Sequence, residues 1–98
     1  MIKTKKFDVI NYLKTDDDIH EYLEVVLEEK DYNYLPVALA DIARARKAMT
    51  PAAKAAGVTR TSLYQSLSKN GKPAFDTVAK VALSLGYKIT LVPMAQSG

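Results

Sequence analysis

An all-α fold of about five helices with one short C-terminal β-strand is what this sequence predicts, on three observations. Apolar residues recur at helical spacing in three separate stretches, around residues 19–27, 35–42 and 75–85. The run from Met49 to Ser68 reads as two short helices about a tight turn, the helix-turn-helix unit that enters the DNA major groove. Only Tyr87-Lys88-Ile89-Thr90-Leu91-Val92 alternates with the period of a strand, before Pro93 stops it.

Taken in order, Asp8 is placed to cap a short helical turn over Val9-Ile10-Asn11-Tyr12-Leu13, and Lys14-Thr15 reads as a break. Asp16, Asp17 or Asp18 opens the next helix, in which Ile19, Tyr22, Leu23, Val26 and Leu27 fall at i, i+3, i+4, i+7 and i+8. Capping and the helix dipole account for that acidic run without a metal or a basic partner. Asp31 is expected to begin a third helix running to about Ala48, with Pro36 confined to its first turn and Leu35, Leu39 and Ile42 on its buried side. Arg44, Arg46 and Lys47 sit at its exposed end.

In the helix-turn-helix, Thr50 is expected as N-cap and Pro51 as the first helical residue, where a missing N–H costs nothing. Ala52, Ala53 and Ala56 are small on one face, which allows the close, steep crossing the motif requires. Gly57 supplies a positive φ, and Val58 is expected as an apolar plug beneath the turn. Thr59 caps the second helix, whose Leu63 and Leu67 face inward while Arg60, Thr61, Tyr64, Gln65 and Ser68 face out. No acid occurs from Arg60 to Ser68.

Ser68-Lys69-Asn70-Gly71-Lys72-Pro73 is rich in turn formers and reads as a loop. Phe75, Val78, Ala79, Ala82 and Leu85 then define a helix closed by Gly86. The strand after it needs a partner for its backbone groups. Lys6-Phe7-Asp8-Val9-Ile10 offers one, and the same strand of a second subunit offers another across a two-fold axis. The second is favoured, with Tyr87, Ile89 and Leu91 at a homodimer interface. Val81 and Leu83, off the main stripe of their helix, are expected to be exposed in a monomer and to join it. A dimer places two recognition helices about 34 Å apart, the spacing of palindromic half-sites.

The 98 residues suit a single domain over 1–98, divided into an acidic helical extension (1–35), a helix-turn-helix core (36–86) and the C-terminal strand (87–93). Five lysines against nine acidic residues leave the first part at −4, whereas nine cations against two aspartates give residues 36–98 a charge of +7. Cations beside a groove-reading helix are what phosphate neutralisation requires, so the acidic part is expected to turn away from DNA. With no cysteine, no disulfide or thiolate metal site is available, and the chain suits a reducing cytoplasm. A basic start followed by no apolar core, and no long apolar window, argue against export or a membrane. The lone His20 lies among surface-type residues, and no nucleophile elbow, phosphate-binding glycine loop or ligand-spaced His and carboxylate set is present. Catalysis, a metal and a cofactor are therefore not expected.

Tyr12-Leu13-Lys14-Thr15, the Ile19…Tyr22-Leu23 stripe, Ala40-Asp41-Ile42-Ala43-Arg44-Ala45-Arg46, Gly57-Val58-Thr59-Arg60-Thr61-Ser62-Leu63-Tyr64, Pro73-Ala74-Phe75-Asp76-Thr77-Val78 and Leu85-Gly86-Tyr87-Lys88-Ile89 together resemble the HigA-type addiction-module antidote proteins, a prophage-type family. The resemblance covers nearly the whole chain, departing at Pro36. It implies a λ-repressor-like helical domain, an antitoxin that neutralises a small RelE/HigB-like ribonuclease toxin, and repression of its own operon at double-stranded operator DNA. The motif's glycine then falls on Gly57, its small residue on Ala53 and its buried recognition-helix position on Leu63. Base-reading positions fall on Arg60, Thr61 and Gln65, and their chemistry agrees: Arg forks to guanine, Gln to adenine, and the Thr methyl meets thymine. Phosphate contacts go to Thr50, Thr59, Tyr64, Lys69 and Lys72. The acidic helices of residues 16–35 suit a basic ribonuclease. A Cro-like prophage repressor without a toxin is the alternative, and a protein-interaction domain that has lost DNA binding is a third.

Overall fold

Helix ends lay out this molecule. The computed structural model describes residues 8–95, with a 3₁₀ turn (Val9–Tyr12) followed by α1 (Asp16–Glu28), α2 (Leu35–Ala45), α3 (Met49–Ala56), α4 (Arg60–Ser66) and α5 (Phe75–Ser84). Among the described residues the fold is all-α, with five α-helices, and no helix is long and apolar enough to cross a membrane. Asp8 caps the 3₁₀ turn as expected, accepting from the Ile10 N–H at 3.1 Å.

The cap of α1 is Thr15 rather than an aspartate. Its hydroxyl accepts from the Asp18 N–H, and the Asp18 carboxylate accepts from the N–H groups of Thr15 and Lys14, each at 3.1 Å. Those backbone donors hold the Asp18 carboxyl below its ordinary value. Asp16 and Asp17 complete an acidic first turn that suits the dipole. Ile19 and Val26 are buried on the predicted stripe, whereas Leu27 is exposed.

The third predicted helix is shorter at both ends. Pro36 is its second residue, and a proline ring clashes with the carbonyl four residues back, so residues 31–34 form turns and α2 begins at Leu35. It ends at Ala45, three residues before the expected Ala48, because Lys47 takes a left-handed φ of +54°. Residues Ala38 to Ala43 are all buried, making α2 the central helix. α3 starts at Met49, so Thr50 is its second residue and not its cap, and no side chain caps this end.

The core joins Leu13 and Ile19 to Leu39, Ile42, Ala52, Ala53, Leu63, Leu67, Val81 and Leu85 in one buried cluster. α5 packs chiefly on α3, and the fully buried Ala52 lets α3 approach its neighbours closely. Three expectations about faces are overturned. Val81 is fully buried within the core cluster where α5 packs on α3 and α2, so it is not available as a dimer contact. Val58 is 39% exposed rather than a plug, and Phe75, in the first turn of α5, is 70% exposed.

No strand forms over 87–93: residues 87–95 carry no regular secondary structure. Alternating side chains do not make a strand without a second backbone to bond. The intramolecular partner fails in part, since Val9 and Ile10 belong to the 3₁₀ turn; Lys6 and Phe7 lie outside the described residues. Leu83, Ile89 and Leu91 are exposed and Tyr87 is half-buried.

Candidate nucleic-acid interface

The turn between α3 and α4 is built from two short-range devices. Gly57, at φ +74°, ends α3 with its N–H on the Lys54 carbonyl at 3.1 Å, while the Val58 N–H bonds the Ala53 carbonyl at 3.0 Å. Thr59 then caps α4, its hydroxyl accepting from the Ser62 N–H at 3.0 Å. Leu63 and Leu67, both fully buried, fix the rotation of α4 about its own axis. Arg60, Thr61, Tyr64 and Gln65 are consequently all exposed, as predicted, on a helix that carries no carboxylate. The Arg60 guanidinium lies 5.7 Å from the centre of the Tyr64 ring, a cation–π contact that ties two of them together.

Beside α4 lies an open cleft of about 500 Å³ lined by Arg44, Lys47, Thr50, Arg60 and Tyr64 with the apolar Ile10 and Met49. The structure thus gathers Thr50, Arg60 and Tyr64 from the predicted set and adds Arg44 and Lys47, which sequence reasoning left without a role. The signal that marks them is the basic run Arg44-Ala45-Arg46-Lys47 lying just ahead of the motif. Thr61 and Gln65 stand on the exposed face of α4 and do not line the cleft. Lys69 and Lys72 are exposed in the loop after α4 but line a different concavity. That groove, of about 1280 Å³, runs past Leu23, Leu27, Phe75, Ile89 and Leu91.

The three cations at the end of α2 have separate fates. Arg46, expected to be exposed, turns inward: it donates to the Leu85 carbonyl at 2.6 Å, lies 5.7 Å from the Tyr87 ring centre, and approaches Asp16 at 3.6 Å. It pins the end of α5 and is a structural residue. Arg44 reaches Asp8 at 3.3 Å and Asp41 at 3.5 Å with its side chain still 37% exposed. Lys47 is exposed, and no described carboxylate pairs with it.

Behind Arg44 sits a polar chain linking α1 to α2. The Tyr22 hydroxyl donates to the Asp41 carboxylate at 2.7 Å and lies 3.5 Å from the Tyr34 hydroxyl. Burial pushes the Asp41 carboxyl up, against the lowering effect of Tyr22 and Arg44. Burial also raises the Tyr22 phenol, followed by its bonds to Tyr34 and Asp41. The Tyr87 hydroxyl is buried without a partner among the described residues. His20 is exposed, its ring centre 5.7 Å from that of Tyr87 in an edge-to-face arrangement. No group of three or more potential metal ligands occurs among the described residues.

Comparison with known proteins agrees over most of the chain. The model of a family described as "Probable addiction module antidote protein" matches residues 3–93. An uncharacterized protein of Haemophilus influenzae is 42% identical over 87 residues, spanning 87% of this chain and 89% of the relative. No solved structure matches.

Proposed function

The chain belongs to the probable addiction module antidote protein family, and from that premise we propose that it is the HigA-type antitoxin of a type II toxin–antitoxin module. It binds and neutralises a RelE/HigB-like ribonuclease toxin and represses its own operon through the α3–α4 helix-turn-helix. Antidote proteins are regulators rather than catalysts, so the chain is not an enzyme.

The observation that carries the repressor half is α4 itself. Two buried leucines and a threonine cap aim a carboxylate-free row of Arg60, Thr61, Tyr64 and Gln65 at solvent beside a cation-lined cleft. Arg60, Thr61 and Gln65 read bases; Thr50, Thr59, Tyr64, Lys69 and Lys72 contact phosphates. A λ-repressor-like arrangement and a homodimer through Leu83, Tyr87, Ile89 and Leu91 complete the reading. The exposed Leu83, Ile89 and Leu91 support that interface. For the toxin, the exposed Asp17, Glu21, Glu24 and Glu28 of α1 offer a negative face to a basic ribonuclease.

The test of the DNA half is a fluorescence titration with the duplex directly upstream of the chain's own coding sequence against a scrambled duplex, using wild type and Arg60→Ala/Gln65→Ala. Preference for the upstream duplex, lost in the double variant, is expected; equal binding to both duplexes overturns sequence-specific repression. For the toxin half, co-expression of the chain with a RelE/HigB-like toxin should restore growth, and Glu21→Lys/Glu24→Lys/Glu28→Lys should abolish the rescue. Unimpaired rescue removes α1 from the toxin surface.

A further inference from the structure

Lys47 occupies a backbone position where a side chain is disfavoured. It follows α2 at φ +54°, its N–H bonding the Arg44 carbonyl at 3.1 Å while the Ala48 N–H bonds the Ala43 carbonyl at 2.7 Å. That is the pattern by which Gly57 ends α3, yet here the residue carries a long cationic side chain. The side chain lines the cleft beside α4.

Apart from the apolar Ile10 and Met49, the other residues lining that cleft suit an anion. Arg44 and Arg60 supply guanidinium groups, Thr50 and Tyr64 supply hydroxyls, and no carboxylate is among the lining residues. Arg44 donates a hydrogen bond to Asp8 at 3.3 Å and approaches Asp41 at 3.5 Å as an ion pair, which leaves donors of its five for another acceptor. The first N–H groups of α3, at whose start Met49 and Thr50 line the cleft, have no side-chain cap. Because Arg60 and Tyr64 belong both to the cleft and to the exposed face of α4, an anion seated here lies at the surface that the recognition helix presents.

We propose that this cleft seats one phosphodiester of the DNA backbone, held by the Lys47 ammonium and the Arg44 guanidinium with the hydroxyls of Thr50 and Tyr64. The inference rests on the DNA-binding reading above and adds two phosphate ligands from outside the helix-turn-helix. A phosphate fixed at the junction of α2 and α3 sets the register of α4 along the groove, a positioning role distinct from base reading.

The experiment titrates wild type, Lys47→Gly, Lys47→Gln and Lys30→Gly with the upstream and scrambled duplexes over a series of salt concentrations, with a thermal melt of each protein. Lys30 also closes a helix at positive φ, +59° after α1, but does not line the cleft, so its variant controls for net charge and for the backbone change. Both Lys47 variants should weaken binding to the two duplexes by the same factor and lower the slope of log affinity against log salt by about 0.9, the value of one phosphate contact. Lys47→Gly should melt no lower than wild type, which separates lost binding from lost folding. Lys30→Gly should leave the slope unchanged.

An unchanged slope in the Lys47 variants overturns the proposal. So does a slope that falls equally in Lys30→Gly, which reduces the effect to net charge. A Lys47-dependent rise in melting temperature with inorganic phosphate alone, together with an unchanged slope on DNA, puts a free anion in the cleft and also overturns it. If wild type does not prefer the upstream duplex but its slope still depends on Lys47, the cleft stands and sequence-specific repression falls.

Discussion

α2 and α3 end in the same hydrogen-bond pattern, and they end differently. Each closes with a residue in the left-handed region whose N–H turns back three residues while the next N–H turns back five. At Gly57 the conformation is free of side-chain cost, and at Lys47 it works against the Cβ by about 1 kcal/mol. α5 repeats the glycine solution at Gly86, φ +94°, with the Tyr87 N–H on the Ala82 carbonyl at 2.9 Å. The backbone's demand is therefore the same at all three ends. What varies is whether a side chain is wanted there, and at Lys47 it lines a cleft of cations.

Gly71 extends the comparison to a glycine required by space rather than by φ. A Cβ built there runs into the backbone carbonyl oxygens of Ser66 and Gln65 at the end of α4, which cannot rotate away. Gly71→Ala should thus have the largest effect, about 3 kcal/mol lost in urea unfolding, as overpacking forces the backbone to shift. A loss below about 1 kcal/mol would mean the loop relaxes easily. Gly57→Ala should cost about 1–2 kcal/mol, since nothing lies within 4 Å of an added Cβ and only the left-handed φ opposes it.

Lys47→Gly and Lys30→Gly should act in the opposite direction, each raising stability by up to about 1 kcal/mol, because both residues sit at positive φ. The comparison sharpens if they then part company on DNA, and it breaks if Lys47→Gly destabilises the protein.

The smallest effect concerns Asp41. Burial raises its carboxyl above the ordinary 3.8, so the folded state binds this proton more tightly than the unfolded chain. Its contribution to stability is fully present below the unfolded value and declines as pH rises through the higher folded value. The stability of wild type relative to Asp41→Asn, from urea unfolding across the acid range above pH 3.8, should fall as pH rises and then level off. A difference that grows with pH would mean that Tyr22 and Arg44 outweigh the burial.

Much of the α3–turn–α4 unit was legible in the sequence because its devices are local. Gly57 and Thr59 act through bonds to residues three to five positions away, and the spacing of Leu63 and Leu67 determined which face of α4 is exposed. Local rules erred where two devices compete within a few residues. Thr15 rather than Asp16 caps α1, and Pro36 delays α2 to Leu35.

By itself the sequence determined the helices, the turn that joins α3 to α4, and the row of exposed donors on α4, because each depends on chemical groups within about one helical turn. Tertiary structure alone decided which flanks are covered and which distant groups meet. Helical periodicity does not say how wide the covering neighbour is, so Val81 is buried and Val58 and Phe75 are not. Arg46 became a staple on α5 and Lys47 a wall of the cleft, although the two are consecutive residues just after α2. The alternation of residues 87–92 made no strand, since a strand's hydrogen bonds belong to two backbones and one segment carries only half of them.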